Sequence, residues 1–420
     1  MGIPPDFFSR TSVQITVRRF SYPWPVRALS QALGPLSRFS TLGSLEPEYL
    51  RRAAFSQAGV SMEEHPEYVG PHFDEAMRLL GQGDFTPLGR LHWHGILATA
   101  AAGRIKLEQY LAEGRPVGEV KNPIFVVGLP RSGTSLVQRL IATDPARRGL
   151  RTFEMLSPVP PRKPSLTAKA KRFGFALLSY GIYRVFVPEL IRIHHTSPTS
   201  LEECWMLFMP TYSVLNADYI FPNPAFGDWL LSRDMSEPFD CYKKLLGILS
   251  LSSPETPFVL KSPEHLWFLD DIYKTFPDAR VIWTHRDPAS AVLSYSAQMC
   301  LPARQHRGVV DPRAMGKRVL SRFRQGVERA DAAMALFPKG RLAHLQYDEL
   351  ARDPVGALDR VYRELELEAS PEHTRKMKDF LAGPQLDKNQ NHYLEATYGL
   401  EKAQIREHFV DYMQKFDVKA

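Results

Sequence analysis

Cysteine is scarce in this chain: Cys204, Cys241 and Cys300 are the whole complement among 420 residues. Three thiols, odd in number and far apart, build neither a disulfide framework nor a paired zinc site. A reduced, cytoplasmic compartment is the simplest account. Long apolar runs are lacking as well. No stretch of about 18 residues is free of charge, which removes a clear membrane span. The nearest case, Phe173 to Ile191, contains Arg184 and Pro188 and reads as an amphipathic helix over a pocket. Internal repeats and low-complexity segments do not occur. Nor does a dominant charge sign, since 53 Lys and Arg stand against 46 Asp and Glu for a net charge of +7. The mixing of signs supplies no basic stripe for nucleic acid, and the modest excess favours an anionic small molecule.

The first 45 residues are the exception to that mixing. They hold Arg10, Arg18, Arg19, Arg27 and Arg38 against the single acid Asp6. Such an arm fits a transit peptide, a peripheral membrane contact, or a basic segment packed on the domain. From residue 46 to 120 the pattern is helical, broken near Gly59, Gly70, Gly81 to Asp84 and Gly114. Leu88, Leu91, Trp93, Ile96, Leu97 and Leu107 suffice for two or three packed helices. No chemistry is read there. Residues 121–420 then form the α/β unit, with inserted helices over about 165–250 that would wall an acceptor pocket.

What is present is concentrated between Pro123 and Ile141. Ile124 to Val127 make a short apolar run, as in a strand buried on both faces of a parallel sheet. Leu136, Val137, Leu140 and Ile141 then recur at helical spacing. Between them Gly128 and Gly133 have the spacing of a glycine loop whose backbone N–H groups converge on an anion at the next helix start. Thr134 stands where a Walker A loop needs lysine, followed by Ser135. The cation lies earlier, at Arg131, whose planar fork suits two oxygens of one terminal group. A phosphorylated donor other than ATP fits this loop.

Later strands bring further charge toward the same sheet edge. Arg148 to Phe153 is a plausible second strand leading to Glu154, and Phe258 to Leu260 is a third, ending at Lys261 and Ser262. His265 follows as a second-choice base. Arg280 to Thr284 is a fourth strand, followed by His285, Arg286, Asp287 and Pro288, with Ser294 eight residues after Arg286. In open α/β sheets the ligand crevice lies at the carboxyl ends of the strands. An arginine at a strand end and a hydroxyl on the next helix can share one phosphate. Val292 stands where a protein-kinase catalytic loop needs asparagine, so His-Arg-Asp is not that motif. His194, His195, Glu202, Glu203 and Cys204 mimic a metal cluster, yet adjacent histidines do not share a helix face, and Ser200 with Glu203 fits a capping box instead. No metal is expected. The aromatic series Trp205, Phe208, Tyr212, Tyr219, Phe221, Phe226 and Trp229 reads first as core. Leu342 to Gln346 gives a last strand. Beyond it Lys388, Asn391 and His392 lie in a polar loop that could close over a nucleotide. A helix carrying Ile405, Phe409, Tyr412 and Phe416 on one face ends the chain.

The strand ending in Gly-Leu-Pro-Arg-Ser-Gly-Thr-Ser, with Arg286 and Ser294 on a later strand and helix, resembles the sulfotransferases that use 3′-phosphoadenosine 5′-phosphosulfate (PAPS). The resemblance runs from Pro123 to the C-terminal helix. It implies a P-loop-like parallel sheet flanked by helices, with Arg131, Ser132, Gly133, Thr134 and Ser135 on the 5′-phosphosulfate and Arg286 and Ser294 on the 3′-phosphate. Lys388 would join the nucleotide contacts. The Leu-Lys-Ser of Leu260 to Ser262, and a glutamate shortly after the first motif, look most like tyrosylprotein sulfotransferases and their bacterial relatives. That likeness implies Glu154 as base, with Lys261 and Arg131 stabilising the transferring group. Pro263 stands where the cytosolic branch carries its histidine, and Glu203 or His265 are the fallback bases.

The expected reaction is in-line, metal-independent sulfuryl transfer to an acceptor hydroxyl, in which alignment and charge neutralisation dominate. The stretch from Phe173 to Trp229 makes a hydrophobic acceptor the first guess. Two readings stay beside it. A non-Walker P-loop kinase would need a loop lysine and a metal-binding acid, and a non-catalytic adenosine-bisphosphate-binding protein would keep Arg286 and Ser294 but tolerate loss of Glu154.

Overall fold

The computed structural model describes residues 28–34, 43–163, 165–186, 196–221, 223–383 and 395–420. Five strands form one parallel sheet: β1 (Ile124–Gly128), β2 (Arg148–Gly149), β3 (Phe258–Lys261), β4 (Arg280–His285) and β5 (Leu342–Gln346), in the order β2-β3-β1-β4-β5. Every residue of β1 and β3 is buried, which is why these strands read as unbroken apolar runs and not as alternating ones. One sheet face packs Ile124, Val126, Val259 and Ile282 on the helices Thr134–Ile141 and Pro354–Glu364, through Val137, Leu140, Leu358 and Val361. The other packs Phe125, Leu260, Val281 and Trp283 into a larger core that includes Trp93, Phe208, Tyr242 and Phe323.

The chain leaves β1 for the edge strand β2, returns to β3 beside β1, then crosses to β4 on the other side of β1. The carboxyl end of β1 is therefore the switch point of the sheet, where crevices form. Lys261 ends the strand on one side of it, and Arg286 follows the strand on the other.

Several local expectations change. Arg148 to Phe153 is not a strand throughout. Only Arg148 and Gly149 pair with β3, Arg151 bridges to Leu201, and Thr152–Leu156 is a short helix. Glu154 is the cause: its carboxylate reaches back to Arg151 N–H at 2.9 Å, capping the first turn. The capping box at Ser200 and Glu203 does not form. Ser200 closes a turn with Ser197, and Cys204–Thr211 is a 3₁₀ segment whose preceding Glu203 makes no cap. After β3 the chain makes a 3₁₀ turn, Pro263–Phe268, before the helix Leu269–Thr275. The tail is two short helices, Lys402–Glu407 and Val410–Lys415, rather than one, with Ile405, Phe409, Tyr412 and Phe416 all buried as their spacing required. Most of the basic N-terminal arm, His194 and His195, residues 187–191, and the loop with Lys388, Asn391 and His392 lie outside the described residues.

Candidate active site

The loop after β1 is shaped by two glycines. Gly128 has φ 147°, and a Cβ there would sit 2.3 Å from Thr284 Oγ1 and 2.6 Å from the Thr284 carbonyl on β4. No side chain fits between the two strands at that point. Gly133, at φ 92°, precedes the helix Thr134–Ile141, and its Cβ would crowd Leu350 and Tyr347. Ser132 is fully buried, with Oγ 2.6 Å from both Leu129 O and Thr284 Oγ1. Its hydroxyl thus pins the loop, and its N–H also turns back to the Leu129 carbonyl at 3.1 Å. The first-turn N–H groups of an α-helix have no acceptors within the helix, so this turn presents donors and the positive dipole end together.

Arg131 joins the two sequence motifs. It holds φ 73°, a left-handed conformation costing a non-glycine residue roughly 1 kcal/mol. In that conformation its Nε donates to Ser294 Oγ at 3.1 Å, while its carbonyl accepts from Arg286 Nη1 at 2.6 Å. The Arg286 guanidinium also lies 4.0 Å over the Tyr347 ring. Arg131, Arg286 and Ser294, read from segments 163 residues apart, therefore meet. Asp287 supports them from behind. It caps the helix Pro288–Arg307 through Ala289 and Ser290 N–H and takes a bidentate pair from Arg406 at 3.0 Å.

On the other side of β1, Lys261 is 1 % exposed and its Nζ donates to Glu203 Oε1 at 2.8 Å. Glu203 is the carboxylate the fold brings to Lys261. Both Glu154 oxygens are engaged elsewhere, one by Arg148 and the other by the Arg151 N–H. His265 is enclosed by Phe125, Phe208, Phe239 and Tyr242, with Nε2 3.1 Å from Cys204 Sγ. Burial drives its pKa down to about 3, so it is a poor proton acceptor.

Glu264 was not singled out by sequence. It is buried, and its carboxylate accepts from the N–H groups of Leu215 at 3.0 Å and Asn216 at 2.7 Å. Burial pushes its pKa up to about 8 against those two hydrogen bonds. With Trp205, Phe208, Ser213, Met235, Ser262, His265 and Phe268 it lines a small cavity. Ser262 Oγ, next to Lys261, is buried there with no hydrogen-bond partner, an orphan that a bound anion or acceptor would satisfy. The only sequence signal for Glu264 was its place three residues after the cation that ends β3. Of the aromatic series, Phe208, Tyr212, Tyr219, Phe221 and Phe226 are core residues, in keeping with its first reading. Among the described residues no His, Cys, Asp and Glu cluster could hold a metal ion.

Comparison with known proteins agrees with this geometry. Residues 123–371, more than half of the chain, match the sulfotransferase family. An omega-hydroxy-beta-dihydromenaquinone-9 sulfotransferase, Stf3, from Mycobacterium bovis is 25 % identical over 368 residues, covering 84 % of this chain and 91 % of the relative, and the same enzyme from Mycobacterium tuberculosis matches equally. Among solved structures, sulfotransferase STF9 from Mycobacterium avium superposes with a TM-score of 0.74 at 25 % identity, covering 89 % of this chain and 97 % of that one. Sulfotransferase STF1 from Mycobacterium tuberculosis gives 0.67 at 26 % identity, covering 87 % and 98 %.

Proposed function

Because the chain belongs to the sulfotransferase family and is a sulfotransferase enzyme, we propose that its donor is PAPS and that the loop after β1 receives the 5′-phosphosulfate. The observation that carries this reading is the meeting of Arg131, Ser294 and Arg286 at the switch point of the sheet. The glycine cradle, the first turn of Thr134–Ile141 and the orphan Ser262 hydroxyl fit a bound anionic donor. Arg286 and Ser294 hold the 3′-phosphate, which distinguishes an adenosine bisphosphate from ATP.

In this reading Glu203 takes the proton from the acceptor hydroxyl, as the acceptor oxygen–sulfur bond forms and the sulfur–phosphate oxygen bond breaks. Lys261 and Arg131 neutralise charge on the transferring group and the leaving phosphate. Contact with Lys261 favours Glu203 over Glu154, whose two oxygens serve Arg148 and the helix cap. The Stf3 relative is named for a hydroxylated menaquinone, which supports a lipophilic alcohol as acceptor here. A cytoplasmic setting accords with three free, buried cysteines.

A calorimetric titration with adenosine 3′,5′-bisphosphate, with ATP as control, tests the donor assignment. Saturable binding of the bisphosphate and weak or no binding of ATP is expected. The reverse order would overturn the donor assignment.

A further inference from the structure

The helix Leu166–Phe186 carries its apolar side outward. Its inner side rests on the Thr152–Leu156 segment: Ala176 is buried, Phe173 meets Phe153 edge-on at 6.0 Å, and Arg172 donates to Ser157 O at 2.5 Å. The opposite side presents Gly174, Leu177, Leu178, Gly181 and Val185. Leu177 is 49 %, Leu178 62 % and Val185 53 % exposed. At 3.6 residues per turn these fall within one sector. A Cβ on Gly174 or Gly181 would meet nothing within 4 Å, so the sector opens to solvent.

Charge decides what could cover it. The helix sequence contains Lys169, Lys171, Arg172 and Arg184 and no acid, and exposed Arg162 and Lys163 precede it. Exposed Lys171 and Arg184 fall at the two edges of the apolar sector. A second copy of the same face would set these cations against each other. An anionic surface would pair with Lys171 and Arg184 alike. Among the described residues no helix is long and apolar enough to cross a bilayer, and an apolar face edged by cations suits an interfacial position.

We propose that this face of Leu166–Phe186 docks on an anionic lipid bilayer, with Leu177, Leu178 and Val185 in the acyl boundary and Lys171 and Arg184 at the headgroups. The inference does not depend on the donor or the acceptor, because its test reads partitioning and not turnover.

The full chain is floated with phosphatidylcholine vesicles containing phosphatidylglycerol, and with phosphatidylcholine vesicles alone. Flotation with the first and far less with the second is expected, weakening as salt is added. Leu177→Gln with Leu178→Gln should lower partitioning by ~10-fold or more, the scale of one lost apolar side chain. Lys171→Gln with Arg184→Gln should lower it ~25-fold on anionic vesicles, about fivefold per cation. An unchanged thermal midpoint shows that each variant folds, and either pair suffices if the other does not. The proposal is overturned if the wild-type chain does not float, or if both variant pairs float as well as it does, which would place binding elsewhere. A dimer that the leucine pair dissociates, without vesicle binding, would assign the face to a second copy.

Discussion

Among the described residues, the carboxylate against Lys261 is that of Glu203. A buried ammonium at the end of β3 needs a counter-charge, and removing one member of such a pair leaves the other unpaired at a cost of about 3–5 kcal/mol if nothing relaxes. For that reason the informative substitution is the isosteric one. Glu203→Gln should retain adenosine bisphosphate binding within a few-fold while turnover falls by ~100-fold or more, the range of a lost general base. Glu154→Gln should instead lower the thermal midpoint and leave most of the turnover, because its oxygens serve Arg148 and the Arg151 N–H. Single-turnover rates beside calorimetric binding separate the two, and a larger rate loss in Glu154→Gln would return the base to Glu154. Lys261→Ala should cut turnover by ~100-fold or more as well, on the scale of a lost oxyanion donor. The sequence showed Lys261 at a strand end, but not its partner. The two are 58 residues apart, with the inserted helices between them, and no periodicity reports a contact of that span.

The strand–loop–helix after β1 is the element on which the site is hung, and its glycines are constrained by different neighbours. Gly128 faces the backbone and hydroxyl of Thr284, neither of which can retreat without breaking β4 from β1. Gly128→Ala should therefore destabilise by about 3 kcal/mol or more, combining overpacking with a positive φ, and abolish bisphosphate binding. Gly114→Ala makes the control: it also has positive φ, at 64°, but meets nothing within 4 Å, so about 1 kcal/mol is expected in chemical denaturation. Equal losses would mean that the cradle is not tight at Gly128. This element was fully legible, since a buried apolar run, two glycines and a helical repeat are each local signals. The edge strand was not. Leu150 to Phe153 reads as extended until Glu154 turns back on Arg151, and a side chain capping its own helix wins over pattern when only two residues pair with β3. The 3₁₀ turn Pro263–Phe268 was hidden for a similar reason, its six buried residues being fixed by tertiary packing and not by helical spacing.

At the scale of the molecule, imidazole pairs tie neighbouring elements together, and they do so uncharged. His285 Nε2 lies 2.8 Å from His344 Nδ1 and its Nδ1 3.0 Å from Tyr412 Oη, with Phe416 stacked at 4.6 Å, so the C-terminal helix Val410–Lys415 closes over β4 and β5 through neutral rings. His92 and His306 meet at 3.0 Å between the helices Pro87–Ala112 and Pro288–Arg307 in the same way. Burial lowers the pKa of His285 well below its ordinary value, and brings His344 and His92 to about 4 and His306 to about 3. A free imidazole titrates near ~6.5, so as pH falls the unfolded chain binds protons that the folded chain refuses. Stability is full above about pH 7 and is lost progressively between ~6.5 and the folded values. Each ring should cost roughly 1 kcal/mol at one pH unit below ~6.5, so the four together would lower the thermal midpoint by several degrees between pH 7.5 and pH 5.5, taking these as the ends of the assay window. His344→Phe removes one ring from the balance and leaves His285 bonded to Tyr412 alone. Its midpoint should be lower at pH 7.5, from the lost hydrogen bond, and should fall less on acidification than that of the parent chain. Parallel pH profiles for the two proteins would show that the His285–His344 contact is not what acid attacks.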